Sequence, residues 1–342
     1  MNNKKIISFL IATLLLTFVV SGCSTKDDKI DASRQSGQEK IKIVTTIFPI
    51  YDWVNNIVGN NENVEVKLLL KNGVDLHSYQ PSTEDMLAIS EADMFIYVGG
   101  HSDVWIESVL KNISNPNQVQ INLFSVLSET LKPLEMSEGM EHHHDEEHDE
   151  EHDEEHNHEL HHEGVNDEHV WLSLIRTQKA VNAIAESLAY IDSDNAGLYI
   201  SNSLDYQEKI GQLDKKYRDT INNSEKDTIV FADRFPFFYL FDDYGIKYFA
   251  AFSGCSAESE ASFETIAVLT NNIDKLNIDK IVVIENRNHK IPETLIENTK
   301  NKNQTILVLN SLQSVTEKQV SEGLNYLDVM EDNLEVIKNV LN

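Results

Sequence analysis

The sequence predicts an α/β protein of two lobes, each with a mainly parallel sheet flanked by helices, joined by a long linking helix. Three observations point there. Strand-like and helix-like segments alternate from residue 41 to about residue 100, and again from residue 228 onward, as parallel sheets with crossover helices require. Between the two sets, residues 194–222 place Leu198, Leu204, Ile210, Leu213 and Tyr217 among polar positions at roughly helical spacing, a helix of about 40 Å at 1.5 Å per residue. A chain of 342 residues, 41% of them hydrophobic, is long enough for two cores.

The elements follow in order. KIVTT is a β-branched strand, Pro49 marks a turn, and YDWVNNIVG is helical. VEVKLLL is a strand, Gly73 opens a loop, and STEDMLAISEA is a helix with Ser82 or Thr83 as N-cap and a glutamate expected to complete a capping box. DMFIYVGG is the next strand. After Asn122 the chain passes Pro133 and a His/acid run, then enters the helical HVWLSLIRTQKAVNAIAESLAYI. The second set reads TIVFAD (strand), PFFYLFDDYG (helical), IKYFAAF (strand), SFETIAVLTNNIDKL (helix), KIVVIE (strand), IPETLIENTK (helix), TILVLN (strand) and one amphipathic helix near 316–341. The expected divisions are an N-terminal lobe at 40–135, the His/acid loop at 136–166, the end of that lobe at 167–193, the linking helix at 194–222 and a C-terminal lobe at 223–342.

The N-terminus reads as an export signal. Lys4 and Lys5 precede an apolar run at 6–20, too short for a comfortable membrane span. The run ends at Val20-Ser21-Gly22-Cys23, which resembles the bacterial lipobox; the plainer alternative is a small-residue cleavage site that happens to include a cysteine. Residues 1–22 are then a signal peptide, Cys23 carries a diacylglyceryl anchor, and the polar residues 23–39 form a tether. Cys255 is the only other cysteine, so acylation of Cys23 leaves it without an intramolecular disulfide partner.

The formal charge is −29, and setting aside the twelve carboxylates of the run at 141–163 leaves −17. Neither value suits nucleic acid, which needs a basic footprint. That run holds nine of the thirteen histidines: His142, His143, His144, His148, His152, His156, His158, His161 and His162. A helix would bring His144, His148, His152 and His156 to one face, but dense like charge opposes it. Imidazole mixed with carboxylate suits borderline divalent metals, and the run lacks the fixed surroundings of a tight site. It reads as an accessory collector beside a folded site.

Ligands of open α/β sheets bind beyond the carboxyl ends of strands. Candidate donors occur there in GVDLHSYQP (73–81), in NDEHVWL (166–172) and in FADR (231–234). Spacing alone settles little. Together, IKIVTTIFPIYDWVNNIVG, GVDLHSYQPSTEDMLAISEADMFIYVGG, the acidic His-rich insertion before EHVWLSL, and NAGLYISNSLDYQEKI resemble the substrate-binding lipoproteins of zinc and manganese ABC importers, from about residue 41 to the C-terminus. The resemblance implies that His77 and His169 ligate a metal in the interlobe cleft. It also exposes two departures. The family's third ligand falls on Arg234, whose guanidinium has no lone pair to offer. Asp233 beside it is the expected substitute, with Arg234 pairing to a cleft carboxylate such as Glu285. The fourth position, in LNSL, holds Asn310, a weaker neutral donor.

Other residues have blander readings. Glu285 at the end of KIVVIE reads as a hydrogen-bonded carboxylate behind the ligands, Cys255 as a buried inert thiol, His101 and His289 as surface residues, and Trp53, Trp105 and Trp171 as packing residues. The implied function is extracytoplasmic capture of Zn²⁺, with Mn²⁺ as the alternative, by a lipid-anchored monomer that serves an ABC permease and performs no catalysis. A surface metal buffer or adhesin is the second reading. A zinc hydrolase, needing a base such as Glu285, is the third.

Overall fold

The computed structural model describes residues 40–140, 166–256, 260–285 and 290–342. The expected signal peptide, Cys23, the tether, the His/acid run at 141–163 and His289 lie outside the described residues. The first half runs β1 (Ile41–Thr45), α1 (Phe48–Val58), β2 (Val64–Leu68), α2 (Thr83–Glu91), β3 (Met94–Tyr97), α3 (Val104–Leu110), β4 (Val119–Asn122), α4 (Leu123–Val126) and α5 (Leu174–Ile191). The long helix α6 (Ala196–Asn222) follows. The second half runs β5 (Thr228–Phe235), α7 (Phe238–Tyr244), β6 (Lys247–Ser253), α8 (Phe263–Lys275), β7 (Lys280–Ile284), α9 (Lys290–Asn298), β8 (Thr305–Leu309), α10 (Glu317–Ser321) and α11 (Tyr326–Leu341). No helix of the described residues is long and apolar enough to cross a membrane.

Each half carries a four-stranded, all-parallel sheet, in the orders β2-β1-β3-β4 and β6-β5-β7-β8. The two orders are topologically the same. In each, the first strand of the half sits in the middle and its successors lie to opposite sides, so the carboxyl ends of β1 and β5 face the crevices where such sheets bind ligands.

Burial explains why these segments became strands. Along β5 the side chains of Ile229 and Phe231 enter a core that continues through the first sheet, while Val230 and Ala232 face a smaller core with Leu269 and Ile273 of α8. A strand covered on both faces reads as an unbroken apolar run, which TIVFA is. The larger core reaches α1, α6 and α11, where Trp53 meets Tyr326 edge-on at 5.5 Å. Two tyrosines tie it together: Tyr206 of α6 donates to Asp52 of α1 at 2.9 Å, and Tyr217 donates to the Met330 carbonyl at 2.6 Å.

Several local expectations are corrected. Ser82 does cap α2 through a capping box, but Asp85 closes it rather than a glutamate, because Asp85 is the N3 residue. The helix beginning at HVWLSL starts only at Leu174, capped by Ser173; Val170–Leu172 form a separate 3-10 turn. The amphipathic stretch near 316–341 is two helices broken at Gly323, whose φ of 89° favours glycine. Strand β5 does not stop at Asp233 but runs on to Phe235, with a register shift between Phe231 and Arg234. Asp233 therefore lies in a bulge, not in a terminal loop.

Candidate metal centre

Three loops converge on one small volume. The first leaves β2, where Asp75 caps the 3-10 turn Leu76–Ser78 by accepting the His77 N–H on Oδ1 at 3.0 Å. The second precedes α5, where Asp167 accepts the His169 N–H at 2.9 Å. The third leaves β6 at Gly254 and Cys255. Among the described residues, one set of side chains brings three metal-compatible donor atoms within 4.8 Å of one another: His77, His169 and Cys255.

The two imidazoles face each other with Nε2 atoms 3.3 Å apart, and each ring is held from behind. Nδ1 of His169 lies 3.0 Å from Asp167 Oδ1, and a carboxylate only accepts, so Nδ1 carries a proton and Nε2 is the nitrogen that can offer a lone pair to a metal when the ring is neutral. Nδ1 of His77 lies 2.5 Å from Ser102 Oγ. Ser102 is itself fixed. Its N–H donates to Glu168 at 3.1 Å, the His101 N–H donates to the same carboxylate, and Asp103 accepts the Gly99 N–H at 2.8 Å across the turn. Gly100 allows this approach, since a Cβ there would lie 3.0 Å from Glu168 Oε1 at a φ of 90°. A partner on the second nitrogen of a histidine is the usual support behind a metal ligand.

The electrostatics favour the protonated form of each group. His169 is fully buried, and burial alone would pull its pKa down, but the charges of Asp167, Glu168 and Asp75 outweigh that and the net direction is upward. Burial pushes the Cys255 thiol well up, with the same three carboxylates adding to it. Gly254 is what lets the thiol's loop come close: a Cβ there would stand 2.6 Å from His169 Cε1 and 2.9 Å from the Phe235 carbonyl.

The remaining expected ligands sit elsewhere. Asp233 is outside the donor set; its Oδ1 accepts the Arg234 N–H at 2.8 Å and its Oδ2 lies 3.4 Å from the Ile284 N–H. Arg234 pairs with Asp75 at 2.5 Å, not with Glu285, and also donates to the Ser256 carbonyl at 3.1 Å. One guanidinium thus ties the His77 loop to the Cys255 loop. Glu285 accepts from the Ser311 N–H and from its hydroxyl, both at 2.7 Å, and burial raises its pKa. Asn310 holds its own turn, accepting the Leu312 N–H at 2.9 Å and donating its own N–H to Asn333 at 2.8 Å. His101 is exposed, while Trp53 and Trp171 are buried, the latter donating to the Ser311 carbonyl. Ser102 and Asp167 were not singled out from the sequence. Asp167 could have been, two residues before His169; Ser102 gives no local signal, because only the fold brings it to His77.

Comparison with known proteins agrees with this architecture. The family model for ZnuA, described as zinc-uptake complex component A periplasmic, matches residues 43–340. The high-affinity zinc uptake system protein ZnuA of Bacillus subtilis (strain 168) is 32% identical over 333 residues, covering 97% of this chain and 96% of that protein. The zinc-binding lipoprotein AdcA of Streptococcus pneumoniae (strain ATCC BAA-255 / R6) is 32% identical over 334 residues, 98% of this chain but 60% of AdcA, so this chain spans only part of that longer relative. Among solved structures, the Zn(II)-bound ZnuA-like domain of S. pneumoniae AdcA superposes with a TM-score of 0.67 at 28% identity, covering 88% of this chain and 99% of that one. The periplasmic zinc-binding protein TroA from Treponema pallidum shares the fold at a TM-score of 0.69 and 22% identity, over 88% of this chain and 99% of its own. The chain belongs to the ZnuA family of zinc-uptake components.

Proposed function

We propose that this chain captures Zn²⁺ outside the cytoplasm, in preference to Mn²⁺, and delivers it to a membrane ABC permease without performing catalysis. The observation that carries the reading is the pair of inward Nε2 atoms at 3.3 Å. Two nitrogens bound at about 2.0–2.1 Å to one tetrahedral zinc lie about 3.3–3.4 Å apart, so the rings already stand at the spacing of ligands sharing an ion. His77 and His169 are therefore the two imidazole donors, and the second half completes the coordination.

Anchoring follows from the lipobox-like stretch. A diacylglyceryl group on Cys23 would hold the monomer at the membrane, and the run at 141–163 would collect zinc loosely beside the cleft. Nine histidines in that run also support surface metal buffering as a second reading. A zinc hydrolase has less support, because both oxygens of Glu285, its candidate base, already accept from Ser311.

The test is a competition titration of the chain lacking residues 1–23, with Zn²⁺ and Mn²⁺ against a chelator of known affinity. One tight zinc equivalent is expected, weaker for manganese and lost in both His77→Ala and His169→Ala. Tight binding that survives both substitutions would refute the assignment.

A further inference from the structure

We propose that Cys255 is the third protein ligand of this site, as a thiolate, and that it sets the preference of the site for zinc over manganese. The inference rests on the reading that His77 and His169 hold a divalent metal, and it deepens that reading.

Three observations carry it. The Cys255 sulfur lies within 4.8 Å of a ring nitrogen of His77 and of a ring nitrogen of His169, while the carboxylates of Asp233 and Glu285 do not join the set. Gly254 is packed against His169 so closely that any side chain there would collide with the ring, so the backbone beside the cysteine is brought to the site by construction. Arg234, at the position that would otherwise supply the third ligand, instead bonds Asp75 and the Ser256 carbonyl, locking the histidine loop and the cysteine loop together. Arg234 of β5 thus clamps the loop after β6 that carries Cys255.

The chemistry is simple. Binding forms a metal–sulfur bond and breaks the S–H bond, and the proton leaves to water. Two neutral imidazoles and one thiolate leave a net single positive charge on a bound divalent ion. Three protein donors leave one tetrahedral position for water. Thiolate favours zinc, whereas manganese prefers carboxylate, carbonyl and water oxygens.

The direct test is Co²⁺ spectroscopy on the mature full chain loaded with one metal equivalent. Wild type should show a near-ultraviolet thiolate-to-cobalt charge-transfer band. Cys255→Ser should lose the band, still bind Co²⁺, and show a zinc-to-manganese affinity ratio reduced at least tenfold. Co²⁺ binding that depends on His77 but lacks the band in wild type would overturn the role of Cys255 and leave metal capture standing. A band that persists in Cys255→Ser would overturn it as well. Co²⁺ binding indifferent to His77→Ala would overturn the capture reading itself.

Discussion

The two halves of this protein share a strand order but furnish the site differently. In the first sheet the loop after β2 presents His77, and its topological counterpart in the second sheet, the loop after β6, presents Cys255. His77 is backed by Ser102, from the turn after β3, and His169, just before α5, is backed by Asp167. The second half offers instead a glycine that permits approach and an arginine that clamps. One half holds its donors by dedicated hydrogen bonds; in the other, Arg234 of β5 ties the cysteine loop to Asp75 of the histidine loop. The same topology thus supplies a preorganised side and a docked side, and substitutions on each should fail in different ways.

The largest effect should come from the preorganised side. His169→Ala should weaken tight zinc binding by about a thousandfold, roughly 4 kcal/mol, in chelator competition. The folded chain should persist, because the site loops keep their other ties. A loss under about tenfold would mean that the first half does not dominate.

On the docked side the effect should fall on stability as well as on affinity. Arg234→Met removes one charged partner of Asp75, whose side chain is 20% exposed, so the cost should be about 2–3 kcal/mol in denaturant unfolding, below the roughly 3–5 kcal/mol of a fully buried pair. An unchanged unfolding midpoint would show that the two loops are held by something else.

A residue remote from both sides separates fold stability from the site. Burial pushes Asp52 up to about 6 from 3.8, against the opposing hydroxyl of Tyr206. Between those values the folded protein keeps a proton that the unfolded chain has released, so stability falls as pH rises through that window and the penalty is constant above it. Asp52→Asn should therefore gain up to about 3 kcal/mol at pH 8 and nothing at pH 4, with zinc affinity unchanged. A stability difference that is the same at both pH values would contradict this origin.

The smallest effect should come from the accessory run. Deleting residues 138–164 should remove several weak zinc equivalents in calorimetry and alter the tight site by less than about twofold, about 0.4 kcal/mol. Disappearance of the tight site with the run would favour metal buffering as the main role.

How far the sequence could be read depended on whether a signal was local. The long helix and the twice-repeated strand–helix alternation were legible, because periodicity is a property of contiguous residues. Strand β4 and helix α3 were not singled out: four residues, VQIN, and a single short helix give too little period to stand out. The motifs around His77 and His169 singled them out, and the structure brings their Nε2 atoms to 3.3 Å with the rings edge-on. The second half was harder. Asp233 was expected at the end of a strand, yet the bulge in β5 directs it toward main-chain N–H groups, and a lone thiol such as Cys255 carries no spacing that would mark a site. Only the pairing of β5 with β6 shows that loops separated by some twenty residues open onto the same place.

The most direct test of this division between a preorganised and a docked side is X-ray absorption at the zinc edge, on the mature full chain holding one equivalent. The account predicts nitrogen scatterers at about 2.0–2.1 Å and one sulfur near about 2.3 Å. A shell of nitrogen and oxygen alone would contradict it and return the third position to an oxygen donor.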